Sequence, residues 1–569
     1  MEGPPDARPR KGLLRRIRST PPLVLALLLL TGSLPAGADC PATGALHSLA
    51  ELRAGSLPEG RPATVEGVVT GVFMDANALG GFYLQQDTTP PVGLFIYAPA
   101  LDPVPTGHLL QVTGRFSRHR GRPQLSRIQA VHDCGKAGLP DPVKLRLPDD
   151  ARRLSALRDV RVRFAQPLAV SGNHELGRYG SLTLSAGGRL IHPGQTADSP
   201  PVDDATGRQL VLDDGSYRAE PDPIPYLDAR GTRRAGSRVE DLTGILAHAF
   251  GAHRLHPTEP PRWQGGERPP PPSLPGRDTL RIATANLEND FVSLGARGAA
   301  DRSARQRQEH KLDALLLPLV ADLLGVVELE NHPAARNRLQ RRLNARLTPP
   351  RHYRAVAHPN PGSDAIKVGL LYRPERLRLL DTATDDDPVH HRPPLLAWFA
   401  DRTTGQQLGV VVVHFKSKGG CPDAGDVDRG QGCWNQQRTA QAERLGRWIA
   451  GHKAGRTAPA PVIIAGDLNA YAAEDPLLRL RAAGKRDLVH PDPERAHTYV
   501  FHARAGQLDY LLGPASLTQR VARGGTWAVN ADEPAFLAYD GRAPAEGPWR
   551  ASDHDPVWLD LRPATAPAD

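Results

Sequence analysis

The stretch 461–471, PVIIAGDLNAY, is the one around which the rest of the chain is organised. Val462, Ile463, Ile464 and Ala465 form an apolar run of the kind that makes a strand buried on both faces. Gly466 then removes side-chain bulk, and Asp467 and Asn469 follow at the strand's end. Alternation puts residues i and i+2 on one side, so a carboxylate and a carboxamide can point into one pocket. An acid that orients water beside an amide that holds a phosphate oxygen is a hydrolytic pairing. Gly, Asp and Asn are also ordinary turn residues, and alone the stretch reads more readily as a strand followed by an Asx turn. Partners elsewhere in the chain decide between the two.

Five further stretches supply them. ATANLEN carries Asn286, LLGVVELEN carries Glu328, VVVVHFKSKGG carries His414, GQLDYLLG carries Asp509, and GPWRASDHDPVW carries Asp553 and His554. Four of them are strand ends that turn polar. Asp509 sits in an apolar setting, where an isolated carboxylate is costly and calls for a donor such as a histidine. One such strand end is a turn; six within one domain form the wall of a single site. Between them, strand-like runs alternate with helical ones at 301–320 and 333–347. In the latter, Leu339, Leu343 and Leu347 form an i, i+4 stripe, with Arg338, Arg341, Arg342 and Arg346 elsewhere. Those arginines read as a solvated face, with DNA as the rival partner. Two packed β-sheets with helices outside are expected over 277–562.

Working outward, a chain of 569 residues exceeds one core and implies several domains. The formal charge is +9, but residues 1–38 hold six basic against two acidic side chains and account for +4 of it. The remainder is only mildly basic, which is weak support for a polyanionic partner. Residues 1–38 have a basic start, an apolar core LVLALLLL and an Ala-Gly-Ala end, the layout of a cleaved signal peptide. That core is far short of the ~20 residues needed to span a bilayer, and no later segment is long enough, so a secreted or periplasmic protein is expected. In an oxidising compartment Cys40, Cys134, Cys421 and Cys433 suggest two disulfides, Cys40–Cys134 and Cys421–Cys433; the rival is a zinc site, although no CxxC occurs.

Residues 39–135 read as five short strands separated by Gly and Pro, and VEGVVTGVF, GFYLQQ, GLFIY and LLQVTGRF resemble an OB-fold β-barrel. That resemblance implies a binding surface, with Phe82, Tyr83, Phe95 and Tyr97 as candidate stacking faces, while alternation sends about half of such rings inward. Residues 136–256 continue as a second β-rich subdomain with a long irregular stretch at 194–238. The Pro-rich segment 257–276 reads as an extended linker.

With these residues in place, 277–562 resembles the endonuclease/exonuclease/phosphatase superfamily, whose members include pancreatic-type deoxyribonuclease and apurinic endonucleases. The match lies in N-x-x-N, the V-E after a strand, the strand-borne histidine, G-D-x-N, L-D-Y and S-D-H, in that order. The whole chain looks like secreted bacterial nucleases of this superfamily. The resemblance implies an α+β chain whose C-terminal domain is a four-layer α/β-sandwich. It implies Glu328, Asn286 and Asp553 as metal-binding, with Glu288 as helper. Asp467 handles the attacking water and Asn469 positions it and the phosphate. His554 donates to the scissile phosphate, Asp509 fixes its tautomer, and His414 is the candidate acid for the leaving oxygen. GSDAIKVGLLYRP places Asp364 and Lys367 near the site; Lys416, Lys418 and Arg438 are candidate substrate contacts. Oxygen ligands suit Mg²⁺ or Mn²⁺. The loop CPDAGDVDRGQGC, with Asp423, Asp426 and Asp428, makes Ca²⁺ conceivable although its spacing is not that of an EF-hand. The expected activity is metal-dependent hydrolysis of DNA, with RNA as a further substrate, endonucleolytic and by direct water attack. The alternatives are a phosphatase or phospholipid phosphodiesterase of the same superfamily, and an inactive nucleic-acid-binding protein.

Overall fold

The computed structural model describes residues 40, 45–196, 207–454, 460–492 and 496–564; the expected signal peptide lies outside them. In the N-terminal sheet, Pro62–Phe73 pairs with both Gly81–Gln86 and His108–His119, Val92–Tyr97 pairs with Gly81–Gln86 and Arg122–Lys136, and the last two long strands pair with each other. The pairing therefore returns on itself around Leu84, Leu94, Val112 and Phe116. Cys40 and Cys134 are bonded across its ends, with Cα atoms 5.0 Å apart.

Three of the four rings expected as stacking faces are buried: Phe82, Tyr83 and Phe95, against Tyr97 at 40% exposed. Tyr83 and Phe95 leave the sheet's own core and pack with Ile245 of the next domain. The Tyr83 hydroxyl lies 3.2 Å from His256 Nδ1 there. These aromatic residues join domains.

The second β region is one nine-stranded sheet. Its apolar face carries Leu182, Leu184, Leu210, Leu212 and Leu255. Inside the stretch expected to be irregular, Gln209–Asp213 is a strand. Within the expected linker, Arg262–Gln264 pairs with Arg238–Glu240. The remainder of that linker is held at points: Arg268 Nε donates to Glu533 at 2.9 Å, and Trp527 Nε1 reaches the Pro269 carbonyl at 3.4 Å. Proline makes a segment extended, and contacts far along the chain hold it in place.

The C-terminal domain has two six-stranded sheets. Val327, Leu370, Phe399, Val412, Ile463 and Leu559 fill the space between them. Helices Arg302–Leu316 and Pro333–Asn344 cover one outer face through Leu312, Leu315, Leu339 and Leu343. Helices Asn435–Ala454 and Asp475–Ala482 cover the other through Leu445, Ile449, Leu477 and Leu480. The layers are helix, sheet, sheet, helix. The first helix stops short of residue 320 because Pro318 has no N–H, and a 3₁₀ turn, Leu317–Leu319, finishes it. The arginine face of the second helix is not simply solvated. Arg342 and Arg346 both bond Asp313, and Arg338 bonds Glu309, so these charges tie the two helices together.

Strand Val462–Asp467 runs between Gln407–His414, parallel, and Asp509–Pro514, antiparallel. The register sets His414 beside Asp467 and Asp467 beside Asp509. Gly466 permits this: its φ is +133°, and a Cβ there would lie 2.1 Å from the Val413 carbonyl oxygen. Gly466→Ala is expected to cost about 3 kcal/mol by forcing backbone strain. Gly419→Ala, where a Cβ meets nothing within 4 Å, is the control. Equal denaturation midpoints for the two variants would show that the strand tolerates the clash.

The nine-stranded sheet is bolted to the C-terminal domain by buried ions. Arg234 donates to Glu533 at 2.6 Å, and Arg189 reaches Asp532 at 2.7 Å. Removing one member of such a pair strands the other charge, so Arg234→Ala should destabilise the protein by about 3 kcal/mol. Arg262→Ala, at an exposed pair with Asp241, should leave the melting midpoint in place. The interface is not the anchor if both variants melt with the parent protein.

Candidate active site

At the polar end of the two sheets the chain departs from regular strand geometry. The pairing of Leu280–Asp290 with Leu323–Glu330 shifts register between Asn286 and Asp290, and a second shift falls between Val326 and Leu329. Glu288, Asn289 and Glu328 have φ of +47°, +59° and +61°, and Asn469 has +47°. Bulges and left-handed residues re-aim side chains at the cost of strain, and here they turn carboxylates and amides into one cleft.

Asp467 lies at the bottom, 1% exposed. The Asn469 backbone N–H donates to its Oδ1 at 2.7 Å, and the Asn469 side chain donates to Oδ2 at 3.3 Å and to the Phe415 carbonyl at 3.2 Å. Asn469 therefore holds Asp467, where the sequence reading gave it water and phosphate. Burial pushes the Asp467 carboxyl up to about 7, with His554 pulling it down and Asp509 and Glu328 adding to the rise.

His554 Nδ1 is 2.7 Å from Asp509 Oδ2, which also accepts from the Thr498 hydroxyl at 2.7 Å. Nε2 is left facing Asp467, 3.9 Å from its Oδ2. Burial favours the neutral ring, but Asp509, Asp553 and Asp467 outweigh it and hold His554 well above the ordinary imidazole range. Tyr499 packs on this ring at 4.6 Å.

His414 is different. It is buried 3.5 Å from Asp467, with Arg392 Nη1 3.2 Å from its Nδ1. Burial, then Arg392, drives its ring well below the usual range. A ring held neutral has no extra proton to donate, so His414 does not fit the expected acid for a leaving oxygen. Arg392 itself is buried and had no signal in HHRPP; only the folded chain brings it to Asp467.

The acidic residues collect beside this pair. Asn286 Nδ2 donates to Glu328 Oε1 at 3.1 Å and lies 3.5 Å from Asp467. Burial and then Asp553 raise both Glu328 and Glu288, the latter to about 8. Glu288 Oε2 is buried without a partner among the described residues. Asp467, Asp509 and His554 offer ligand atoms within 4.8 Å of one another and could also hold a metal. Each group includes a buried oxygen without a partner among the described residues, Asp509 Oδ1 and Glu288 Oε2, but Asp509 and His554 are already bonded to each other, whereas Glu288, Glu328 and Asp553 are three carboxylates that repel one another. A hard cation fits the second group better.

The expected substrate contacts separate. Lys418 is consumed by Glu474, at 2.8 and 2.6 Å, and by the Gln431 carbonyl. Arg438 is fully buried, donating to the carbonyls of Cys433, Gln431 and Lys416. Both brace the loop closed by Cys421–Cys433. Lys416 is half-buried, with Nζ 4.9 Å from the Trp434 ring centroid. Lys367 is buried and donates to the His332 carbonyl, and Asp364 lies 3.9 Å from Arg392. In the loop, Asp426 accepts the N–H groups of Gln436 and Gln437, and Asp428 those of Gly430 and Gly432. Turn and helix-start amides thus occupy two of the three carboxylates that suggested calcium.

No curated protein matches the chain. Among solved structures, the human Nocturnin catalytic domain is 17% identical, covering 50% of this chain and 95% of its own, with a TM-score of 0.34. D. rerio TDP2 complexed with single-strand DNA product is 16% identical, over 50% and 99%, with 0.33. A mannosyl-6-phosphatase of Bacteroides thetaiotaomicron is 15% identical, over 50% and 99%, with 0.34. The family model described as endonuclease/exonuclease/phosphatase matches residues 283–554, the span that runs from the strand bearing Asn286 to His554. Residues 283–554 are thus the part of the chain that belongs to the endonuclease/exonuclease/phosphatase family.

Proposed function

We propose that the protein is an exported, divalent-metal-dependent endonuclease that hydrolyses phosphodiester bonds of DNA, and of RNA, by direct attack of water. The observation that carries this is a buried carboxylate poised near neutrality, Asp467, facing a charged imidazole, His554, across a 3.9 Å gap. A base must lose its proton readily near working pH and an electrophile must keep its charge, and these two environments push in those opposite directions. Asp467 takes the proton of the attacking water. His554 Nε2–H donates to a phosphate oxygen, its Nδ1 fixed by Asp509. Asn469 and Asn286 orient Asp467, and Lys416 adds positive charge at the rim. Glu328, Glu288, Asn286 and Asp553 would hold Mg²⁺ or Mn²⁺, which when bound neutralises charge on the phosphate. No Ser or Cys nucleophile stands in this group, which favours a one-step displacement.

Export is supported by the signal-like residues 1–38 and the two disulfides. Among the described residues no helix is long and apolar enough to cross a membrane. We read 39–135 as an OB-like module, 136–256 as a second β domain and 277–562 as catalytic. The strand pairing that returns on itself supports the first of these.

Asp467→Ala and His554→Ala should each reduce nicking of supercoiled plasmid at least about a thousandfold while circular dichroism stays unchanged. EDTA should abolish nicking and Mg²⁺ or Mn²⁺ restore it. Nicked circles appearing before short fragments mark endonucleolytic cleavage. Full turnover of phosphomonoesters or phospholipids with intact plasmid would instead assign a phosphatase or a lipid phosphodiesterase.

A further inference from the structure

The cleft at Glu288 and Asp553 does not end within the catalytic sheets. It is a cavity of about 650 Å³ whose opposite wall is the nine-stranded sheet. There Ser181–Ala186, Gln209–Asp213 and Ala252–Pro257 are neighbours, with Thr183, Val211 and Arg254 in one cross-strand row. The leucines between them enter the core, so alternation turns Thr183, Gln209 and Arg254 toward the cleft.

The wall is fixed at its distance from the site. Gly172 extends the same row, pairing with Thr183. A Cβ on Gly172 would lie 2.6 Å from Cβ of Ala503, at the tip of the hairpin whose other end puts Tyr499 on His554. Leu190 and His192 exchange backbone hydrogen bonds with Ala505 of that hairpin, and Asn173 donates to the Asp532 carbonyl. A solvent-facing sheet has no need of such clamps.

Its chemistry suits a strand of phosphodiesters. The cavity falls in the range that encloses an extended ligand, well beyond a single phosphate group. The wall offers a hydroxyl, a carboxamide and a guanidinium held by Asp213, and Phe501 on the hairpin beside it is half-exposed. We infer that the nine-stranded domain is the second wall of the substrate groove, and that Thr183, Gln209 and Arg254 bind the polynucleotide strand leading away from the scissile bond. This rests on the nuclease reading.

The test uses the full chain with Thr183→Asp and Thr183→Lys, on a labelled oligonucleotide and on bis(4-nitrophenyl) phosphate, a diester too short to reach the wall. On the oligonucleotide, Thr183→Asp should raise KM about tenfold, and Thr183→Lys should lower it about threefold with a steeper salt dependence. On the short diester both should stay within about twofold of the parent in kcat/KM. Shifts of the same sign in both variants, equal shifts on both substrates, or an unchanged oligonucleotide KM would overturn the assignment. A parent protein that turns over the short diester and leaves every oligonucleotide intact would overturn the nuclease reading, and the wall as a strand-binding surface with it.

Discussion

One register holds the site together. His414, Asp467 and Asp509 stand side by side because three central strands pair without a slip at their polar ends. A shift of one residue in either pairing would send Asp467 or its neighbour to the opposite face. Gly466 secures the first pairing, since only a residue without Cβ can pass the Val413 carbonyl at that distance. The second is secured from the opposite sheet, where the 2.7 Å bond from His554 to Asp509 ties the loop before strand Val557–Leu561 to the start of Asp509–Pro514. The same residues thus fix both packing and chemistry.

What the sequence makes legible here is local. A buried apolar run ending in Gly-Asp-x-Asn, and an apolar-flanked Asp that needs a donor, follow from alternation and desolvation. Both describe Asp467 and the Asp509–His554 pair as the folded chain places them. The central strands of the catalytic domain were legible for the same reason, as were the two cysteine pairs. Solitary basic residues were not. Lys416, Lys418 and Arg438 look alike as letters, yet Lys416 is half-buried beside the Trp434 ring and the other two are spent on carbonyls and on Glu474. Which fate a cation meets depends on acceptors tens of residues away. Arg392 and His414 make the same point, because Arg392 lowers the proton affinity of His414 only once the fold has brought the two together.

Domain boundaries were similarly blurred by long-range contacts. Proline content marks 257–276 as extended, but extension does not decide whether the strand is free or paired. Arg262–Gln264 joins a sheet, and Arg268 reaches Glu533. The loop 190–196 shows how far this goes: His192 stacks on Tyr471 at 3.7 Å, four residues beyond Asp467, while Gln195 accepts the Gln507 N–H two residues before Asp509. The nine-stranded domain therefore braces both chain segments that carry the central pair.

The charge balance explains why such bracing is needed. Glu288, Glu328, Asp467, Asp509 and Asp553 crowd into a region where His554, Arg392 and Arg550 are the cations that act on them. Burial raises Glu288 and Asp467 to about 8 and about 7, so near neutral pH part of this charge is held back as protons. A bound divalent cation would release the protons on the Glu288 side and, by offsetting Glu328, would lower Asp467 as well. The two halves of the cleft are separated by Asn286, which touches Glu328 on one side and Asp467 on the other. An amide is suited to that position because it bonds both carboxylates without adding a charge to either. A lysine there would lower Asp467 and a third acid would raise it further, whereas Asn286 links the cation-binding side to the proton-handling side without shifting either through a charge of its own.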